Sequence, residues 1–104
     1  MHATIRRYES VDQSRTAEIV KMVDESLLPA LSELPGFSSY SLIDSGNGVV
    51  TSIGCFDTAE HAEASTSVAG TWLRENKLET ALPNPPMITS GTVAVEKTRT
   101  LVQA

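Results

Sequence analysis

Apolar residues recur along the chain with two different periods. Residues 2–9 and 37–44 alternate between the two sides of an extended backbone, and residues 49–56 are β-branched and aromatic, so each stretch predicts a strand. Between the first two strands, from residue 12 to 34, apolar residues recur at spacings of three and four, which predicts an amphipathic helix. A second helix follows the third strand, and residues 87–97 supply a fourth strand.

The element order β-α-β-β-α-β predicts a ferredoxin-like sandwich, in which two helices cover one face of a four-stranded antiparallel sheet. Pro29 predicts a kink or a fresh short turn within the first helix, and Asp44–Gly48 predicts a hairpin turn. Asp57 and Glu60 have the spacing of a capping box, so the second helix should have Asp57 as its cap. The tail, residues 98–104, has no clear pattern and is expected to lie against a partner.

Composition narrows the classes of function. The 104 residues suit one ferredoxin-like domain spanning residues 1–104. A net charge of −5 argues against nucleic acid or an anionic membrane as the main partner, so a small molecule or another protein chain is expected. Cys55 is the only cysteine and is predicted to be a buried structural thiol. The chain begins with a strand pattern, and no apolar run approaches the ~20 residues of a membrane span, which together predict a cytoplasmic protein.

Several common functions of this element order lack their sequence signals. RNA-recognition domains need a basic surface and aromatic residues in the third strand, and residues 49–56 do not match that pattern. His2 and His61 have no spaced carboxylate or thiol companions, so no metal site is predicted. Gly46-Asn47-Gly48 lies in a hairpin and not at a strand-to-helix turn, so no nucleotide site is predicted either. The expected function therefore needs no cofactor.

The second helix carries the few side chains that could do chemistry. At about 100° per residue, His61 and Trp72 point roughly 20° apart, and Asn76 lies roughly 40° beyond Trp72. An imidazole, an indole and an amide could therefore face one cavity. Packing is the first interpretation of Trp72, because a large ring on an inward stripe is usually core. His61 lies in the first turn, where a surface histidine near a cap is the alternative to a catalytic one.

Arg6 and Arg7 are adjacent in the first strand, so they lie on opposite sides of the sheet. The arginine under the helices would be partly buried and would need a carboxylate or an anionic ligand. The alternative is that one arginine is solvated and the other pairs with Glu9 or Glu96. The pattern leaves open which arginine faces the helices.

Both sides of the third strand are apolar. Val49, Ile53 and Cys55 lie on one side, and Val50 and Phe56 lie on the other. Because the helices can cover only one face of the sheet, an apolar second face would not normally stay exposed. We infer a homodimer in which two sheets pack face to face around a two-fold axis.

Three features of the chain resemble the dimeric α+β barrel superfamily. They are the element order, the sequence Leu34-Pro35-Gly36-Phe37 before the second strand, and Phe56 followed by Thr58-Ala59-Glu60 and an Ala/His/Ser-rich helix. The branch they resemble most is that of the antibiotic-biosynthesis-monooxygenase-like proteins. The resemblance covers nearly the whole chain and implies a ligand pocket between helices and sheet. It also implies substrate-binding or oxygen-steering roles for Trp72 and Asn76. Haem-degrading members carry a later histidine on the second helix, and this helix has none after Trp72.

The activity that the resemblance implies is cofactor-independent monooxygenation of a small aromatic or phenolic substrate. An ionised phenol or enol would react directly with oxygen, with Arg7 stabilising the anion and Trp72 stacking on the ring. Asn76 or His61 would handle the peroxide or the proton. The expected substrate-binding residues are Tyr8, Tyr40 and Phe56. The alternative is a non-catalytic dimer that binds a small molecule or fills its pocket with side chains.

Overall fold

Four antiparallel strands form one sheet in the computed structural model, which describes residues 1–97. In sequence order they are β1 (His2–Tyr8), β2 (Phe37–Gly46), β3 (Val49–Phe56) and β4 (Met87–Thr92), and their order across the sheet is β2-β3-β1-β4. This topology confirms the predicted ferredoxin-like sandwich. The expectation for the tail, residues 98–104, lies outside the described residues.

The first helical connection is built from short pieces. A 3₁₀ turn leads into α1 (Thr16–Met22), a π-helical segment (Val23–Leu27) follows, and α2 (Leu28–Ser32) ends the connection. Pro29 lies at the start of α2, directly after the π-helical segment, and Leu27 and Leu28 at this boundary keep right-handed helical dihedral angles. The predicted interruption near Pro29 is therefore present only as a change from π-helical to α-helical geometry.

The second helix is α3 (Ala59–Glu75), and its cap differs by one residue from the prediction. The hydroxyl of Thr58, not the carboxylate of Asp57, accepts the hydrogen bond from the His61 amide, at 3.2 Å. The Asp57 carboxylate contacts the His61 ring instead. Gly36 lies against this pair at a φ of +78°, and a Cβ there would come within 2.0 Å of Asp57 Oδ1. Only glycine satisfies both conditions at this turn.

The hairpin between β2 and β3 has the predicted place in the chain. Asn47 and Gly48 form its two-residue turn with φ values of +55° and +77°, as a hairpin with right-handed twist requires. The fourth strand is shorter than predicted, ending at Thr92 and not at residue 97. Thr92 pairs with His2, the first residue of β1, and the Val93 amide donates one further hydrogen bond to the Met1 carbonyl at 2.9 Å.

The two faces of the sheet are covered differently. Along β3 the even-numbered residues Val50, Ser52, Gly54 and Phe56 are buried, whereas the odd-numbered residues are only half-buried. The even-numbered side is the helix-covered face, and the opposite side is here called the open face. Since Arg6 pairs with Ser52, Arg6 lies on the helix-covered face.

The core fills the space between the helix-covered face and the helices. Its larger buried side chains come from α1, the π-helical segment, α2, α3 and β3: Ile19, Val23, Leu27, Leu31, Trp72 and Val50. No helix within residues 1–97 is long and apolar enough to cross a membrane.

Candidate functional site

A cavity of about 50 Å³ lies between the helix-covered face and the helices. Aliphatic side chains of the helical segments and of α3 make most of its wall. The groups that break this apolar lining are the following: Arg6, Tyr8, Tyr40, Ser52, Ser65 and the indole of Trp72. Apolar walls with a few convergent polar groups are the usual composition of a small-molecule site.

Trp72 forms one wall of the cavity and is also part of the core. Only 8% of its surface is exposed, and its Nε1–H donates to the hydroxyl of Ser26 at 2.9 Å. Ser26 belongs to the π-helical segment, whose Val23 and Leu27 also line the cavity. The hydrogen bond fixes the orientation of the indole, so packing and a role at the site are compatible for this residue.

Arg6 is the only charged residue that lines the cavity within the described part of the chain. It is half-buried, and its guanidinium donates to the hydroxyl of Thr66 on α3. The ion pairs among residues 1–97 join Arg7 to Glu9, Arg15 to Glu18 and His61 to Asp57, and none involves Arg6. The cavity therefore has a cation without a carboxylate partner in this range.

Two phenols accompany this cation. Burial raises the pKa of Tyr8, and the charge of Arg6 opposes that shift. Burial also raises the pKa of Tyr40, against the lowering effects of a hydrogen bond with Ser52 and of Arg6. Because raised values lie above the ordinary 10.0, both phenols are neutral near pH 7 and can donate hydrogen bonds to a ligand. The predicted positions of Tyr8 and Tyr40 at a pocket are thus observed, while their binding role stays a prediction.

Arg7 lies on the open face and does not line the cavity. Its side chain is 51% exposed and forms an ion pair with Glu9 at 3.3 Å. The sequence pattern left open which arginine faces the helices. The pairing of Arg6 with buried Ser52 shows that Arg6 is the one that faces them. The placement of Arg7 at the pocket was therefore wrong, because neighbouring strand residues point to opposite faces.

Three other predicted site residues lie away from the cavity lining. His61 and Trp72 point in similar directions, but eleven residues separate them by about 16 Å along the helix axis. The His61 ring contacts the Asp57 carboxylate, and this hydrogen bond is the main reason that the pKa of Asp57 is lowered. Asn76 donates from Nδ2 to the Trp72 carbonyl at 2.8 Å. Phe56 packs edge-to-face on Phe37, with ring centroids 5.7 Å apart.

A surface cleft of about 450 Å³ adjoins the cavity. Val23, Tyr40 and Leu42 border both spaces, and Lys21 and Asp24 line the cleft only. This cleft is large enough for a small organic molecule, whereas the cavity has room for a few waters. Within residues 1–97, no three histidine, cysteine or acidic side chains come together in a way that could hold a metal ion.

Comparison with known proteins identifies the fold. No protein-family model and no curated protein matches this sequence. Among solved structures, a protein of unknown function from Nitrosomonas europaea, NE2512, is 20% identical, with a TM-score of 0.77 over 95% of this chain and 94% of that one. A monooxygenase from the gene ActVA-Orf6 of Streptomyces coelicolor, in complex with nanaomycin D, is 18% identical, with a TM-score of 0.73 over 95% and 92%. An antibiotic biosynthesis monooxygenase is 10% identical, with a TM-score of 0.70 over 91% and 100%.

Proposed function

From the fold that this chain shares with antibiotic-biosynthesis-monooxygenase-like proteins, we propose that it is a cofactor-independent monooxygenase of a small aromatic or phenolic substrate. The observation that carries the proposal is the lining of the cavity, where one indole, two neutral phenols, one guanidinium and two serine hydroxyls interrupt an apolar wall. The monooxygenase of Streptomyces coelicolor, with the same fold, binds nanaomycin D. That likeness supports the substrate class by analogy only.

The proposed reaction requires few functional groups from the protein. Oxygen adds to a ring carbon of an ionised phenol, one oxygen atom stays on the ring as a new carbonyl, and the other leaves as water. The balance is one phenol plus one oxygen molecule to one quinone plus one water, so the substrate supplies all the electrons. The protein must hold the ring, stabilise the negative charge and provide a proton to the peroxide. None of these tasks requires a metal ion or a coenzyme.

Three side chains have suitable positions for these tasks. The fixed indole of Trp72 offers a flat wall on which a ring can stack. Tyr8 and Tyr40 hold phenolic protons at the other side of the cavity, and either can donate to the peroxide. His61 and Asn76 do not line the cavity, so the proposal gives them no proton to handle.

The substrate enters through the surface cleft. Because the cavity alone is too small for an aromatic ring, the side chains that border both spaces must move to admit one. Leu42 and Tyr40 lie on β2, an edge strand of the sheet, where displacement disturbs only one neighbouring strand. Substitution of Leu42 by alanine should therefore lower the KM for a bulky phenol.

The proposal includes a homodimer through the open face. Ile5 and Ile53 pair across β1 and β3 on this face, Cys55 lies beside them, and Ile43 is 44% exposed. Such a group of apolar side chains is typical of an interface between subunits.

A cytoplasmic location remains a prediction from the sequence.

Oxygen uptake is the direct test. The purified protein is mixed with a panel of phenols and quinols while dissolved oxygen is followed, and products are analysed after reaction under isotopically labelled oxygen. We expect uptake with at least one phenol and one labelled atom in the quinone. Trp72→Phe should lower turnover, whereas His61→Ala, at the far end of α3, should leave it unchanged. Full turnover by Trp72→Phe would contradict the positioning role of the indole.

A non-catalytic small-molecule-binding dimer is the second candidate. It is favoured by the observation that, in the described part of the chain, no imidazole or carboxylate lines the cavity. Quenching of Trp72 fluorescence by a phenol, without oxygen uptake for any compound of the panel, would support this candidate over the oxygenase. Absence of both quenching and uptake would contradict both functions.

A further inference from the structure

One wall of the fold separates the surface cleft from the cavity under the helices. Val23 borders both spaces, Leu27 lines the cavity, and Leu28 lines the cleft. Val23 and Leu27 belong to the π-helical segment, and Leu28 follows it directly. The three central residues of the segment, 24–26, are exposed, while Val23 and Leu27 are 7% and 4% exposed. A wall one helical turn thick therefore lies between water and the cavity.

The π-helical geometry makes this wall the weakest part of the first helical connection. The Leu28 amide donates to the Val23 carbonyl, five residues back, where an α-helix reaches four residues back. Pro29 has no amide hydrogen, so the Glu25 carbonyl receives no bond from four residues on and the Asp24 carbonyl none from five residues on. Both residues are exposed, so water can take the place of the missing donor. Opening this turn therefore breaks fewer backbone hydrogen bonds than opening a turn of α1.

A hydrogen bond to α3 holds the wall in place. The Ser26 hydroxyl accepts from Nε1 of Trp72 at 2.9 Å, and within residues 1–97 this is the only side-chain hydrogen bond that joins the segment to another element. Val23 and Leu27 add apolar contacts with the core. Because Ser26 is exposed, water can replace the indole as its partner when the contact breaks. One hydrogen bond and two buried side chains thus stabilise the closed wall.

We propose that the π-helical segment, residues 23–27, is the gate through which a ligand passes from the surface cleft into the cavity. In the closed state Ser26 binds Trp72, and Val23 separates the two spaces. In the open state this hydrogen bond is broken and the turn moves away from β2, while α1 and α2 keep their places. The inference rests on the cavity and the cleft of the proposed function, but it concerns access and needs no oxidation.

The wall on the other side of the passage is held more firmly. Tyr40 pairs with Gly54 and Leu42 pairs with Ser52 in the ladder between β2 and β3. Their side chains can rotate, but a shift of their backbone would break ladder hydrogen bonds. Rotation of these side chains widens the passage on one side, and opening of the π-helical segment widens it on the other.

Cysteine accessibility tests the gate without any ligand. Leu27→Cys and Leu31→Cys are each made in a Cys55→Ser background, and their reaction with an aromatic disulfide reagent is followed by the absorbance of the released thiolate. Both leucines line the cavity and are 4% and 2% exposed, but only Leu27 lies in the segment. Leu27→Cys should react at least about 10-fold faster, because local opening suffices to expose it. Its rate should not change in dilute urea, which accelerates reactions that need global unfolding.

Two further variants, each combined with Leu27→Cys, move the gate in opposite directions. Ser26→Ala removes the bond to Trp72 and should raise the reaction rate by about 5-fold, the factor expected for one hydrogen bond. Pro29→Ala supplies the missing amide and should lower the rate by a similar factor. Ser67→Ala, on the exposed side of α3, is the control and should leave the rate unchanged.

Three results would overturn the gate. They are equal rates for Leu27→Cys and Leu31→Cys, a rate for Leu27→Cys that rises steeply with dilute urea, and unchanged rates in both Ser26→Ala and Pro29→Ala. Amide hydrogen exchange of the unmodified protein keeps the inference testable if Leu27→Cys does not fold. The Leu28 amide, bonded across the segment, should exchange at least about 10-fold faster than the Val23 amide, which is bonded to α1. Equal protection of these two amides would contradict the gate.

The outcome for the gate is separate from the outcome for the oxygenase. Urea-independent reaction of Leu27→Cys in a protein that takes up no oxygen with any phenol would support the gate and count against the proposed reaction. Oxygen uptake by the wild type, together with equal rates for Leu27→Cys and Leu31→Cys, would count against the gate alone.

Discussion

Both faces of β1 mix apolar and polar residues, although the helices cover only one of them. Along β1 the helix-covered face carries Thr4, Arg6 and Tyr8, while the open face carries Ala3, Ile5 and Arg7. A two-layer sandwich whose second face meets water normally keeps apolar residues under its helices and polar residues outside. This mixture on both faces supports the two proposals, a binding site under the helices and an interface on the open face.

The same contrast appears in the environments of the two arginines. Arg7 on the open face has Glu9 as its partner, and both side chains are 51% exposed. Arg6 under the helices contacts neutral hydroxyl-bearing residues. A solvated ion pair contributes little to stability, and within residues 1–97 no ion pair involves Arg6. Two adjacent residues of one type thus have different predicted functions because of strand parity alone.

The largest effect is expected from removing Trp72 from the helix-covered side. Trp72→Ala should lower the free energy of unfolding by about 3–5 kcal/mol, because it leaves a void in the core and breaks the hydrogen bond to Ser26. Urea denaturation followed by circular dichroism measures the change. Glu63→Ala, at an exposed position of α3, is the control and should change stability by less than about 0.5 kcal/mol. Equal losses in both variants would contradict the placement of the core.

The next effect concerns the open face. Ile53→Asp places a charge between Ile5 on β1 and Ser41 on β2, so it should weaken the proposed homodimer by about 2–4 kcal/mol. Light scattering over a range of concentrations should show a dimer for wild type and a monomer for the variant. Val20→Asp, an exposed position of α1, should leave the dimer intact. A wild-type protein that is monomeric at micromolar concentration would contradict the proposed role of the open face.

The sequence was sufficient for the fold but only partly for the site. Periods of two and of three to four identify strands and helices, because burial on one face requires them. The same alternation excludes Tyr8 and Arg7 as neighbours at one cavity, since residues of opposite parity face opposite sides. Tyr8 and Arg6 share a face, and this relation was readable from the sequence. The placement of Arg7 at the pocket was wrong because it combined Tyr8, from one face of the strand, with Arg7, from the opposite face.

Depth along a helix explains the other differences. A helical wheel gives the direction of a side chain around the axis and not its position along it. His61 at the first turn and Trp72 near the last turn share a direction but lie at opposite ends of α3. Ser26 was not predicted because its contact with Trp72 depends on the π-helical segment, which no simple period reveals. Such contacts need the packed structure.

A smaller effect should follow from loss of the hydrogen bond that fixes the indole. Ser26→Ala leaves the Trp72 N–H without this partner and should lower the free energy of unfolding by about 1 kcal/mol. The fluorescence maximum of Trp72 should shift, and the affinity for an aromatic probe should fall. Ser67→Ala on the exposed side of α3 is the control and should change neither quantity. An unchanged emission spectrum in Ser26→Ala would contradict the positioning role of Ser26.

The smallest effect concerns Tyr8 and Tyr40 on the helix-covered face, whose phenols should make stability depend on pH above 10.0. Burial raises the pKa of Tyr8 and of Tyr40 in the folded protein, so the unfolded chain ionises first. Their contribution to stability is therefore fully present below pH 10.0, the ordinary value, and is lost as the pH rises through the higher folded values. The free energy of unfolding of the wild type should fall more steeply above pH 10.0 than that of a Tyr8→Phe, Tyr40→Phe double variant. Parallel curves for the two proteins would show that the phenols are not desolvated, and would remove one support for a water-poor cavity under the helices.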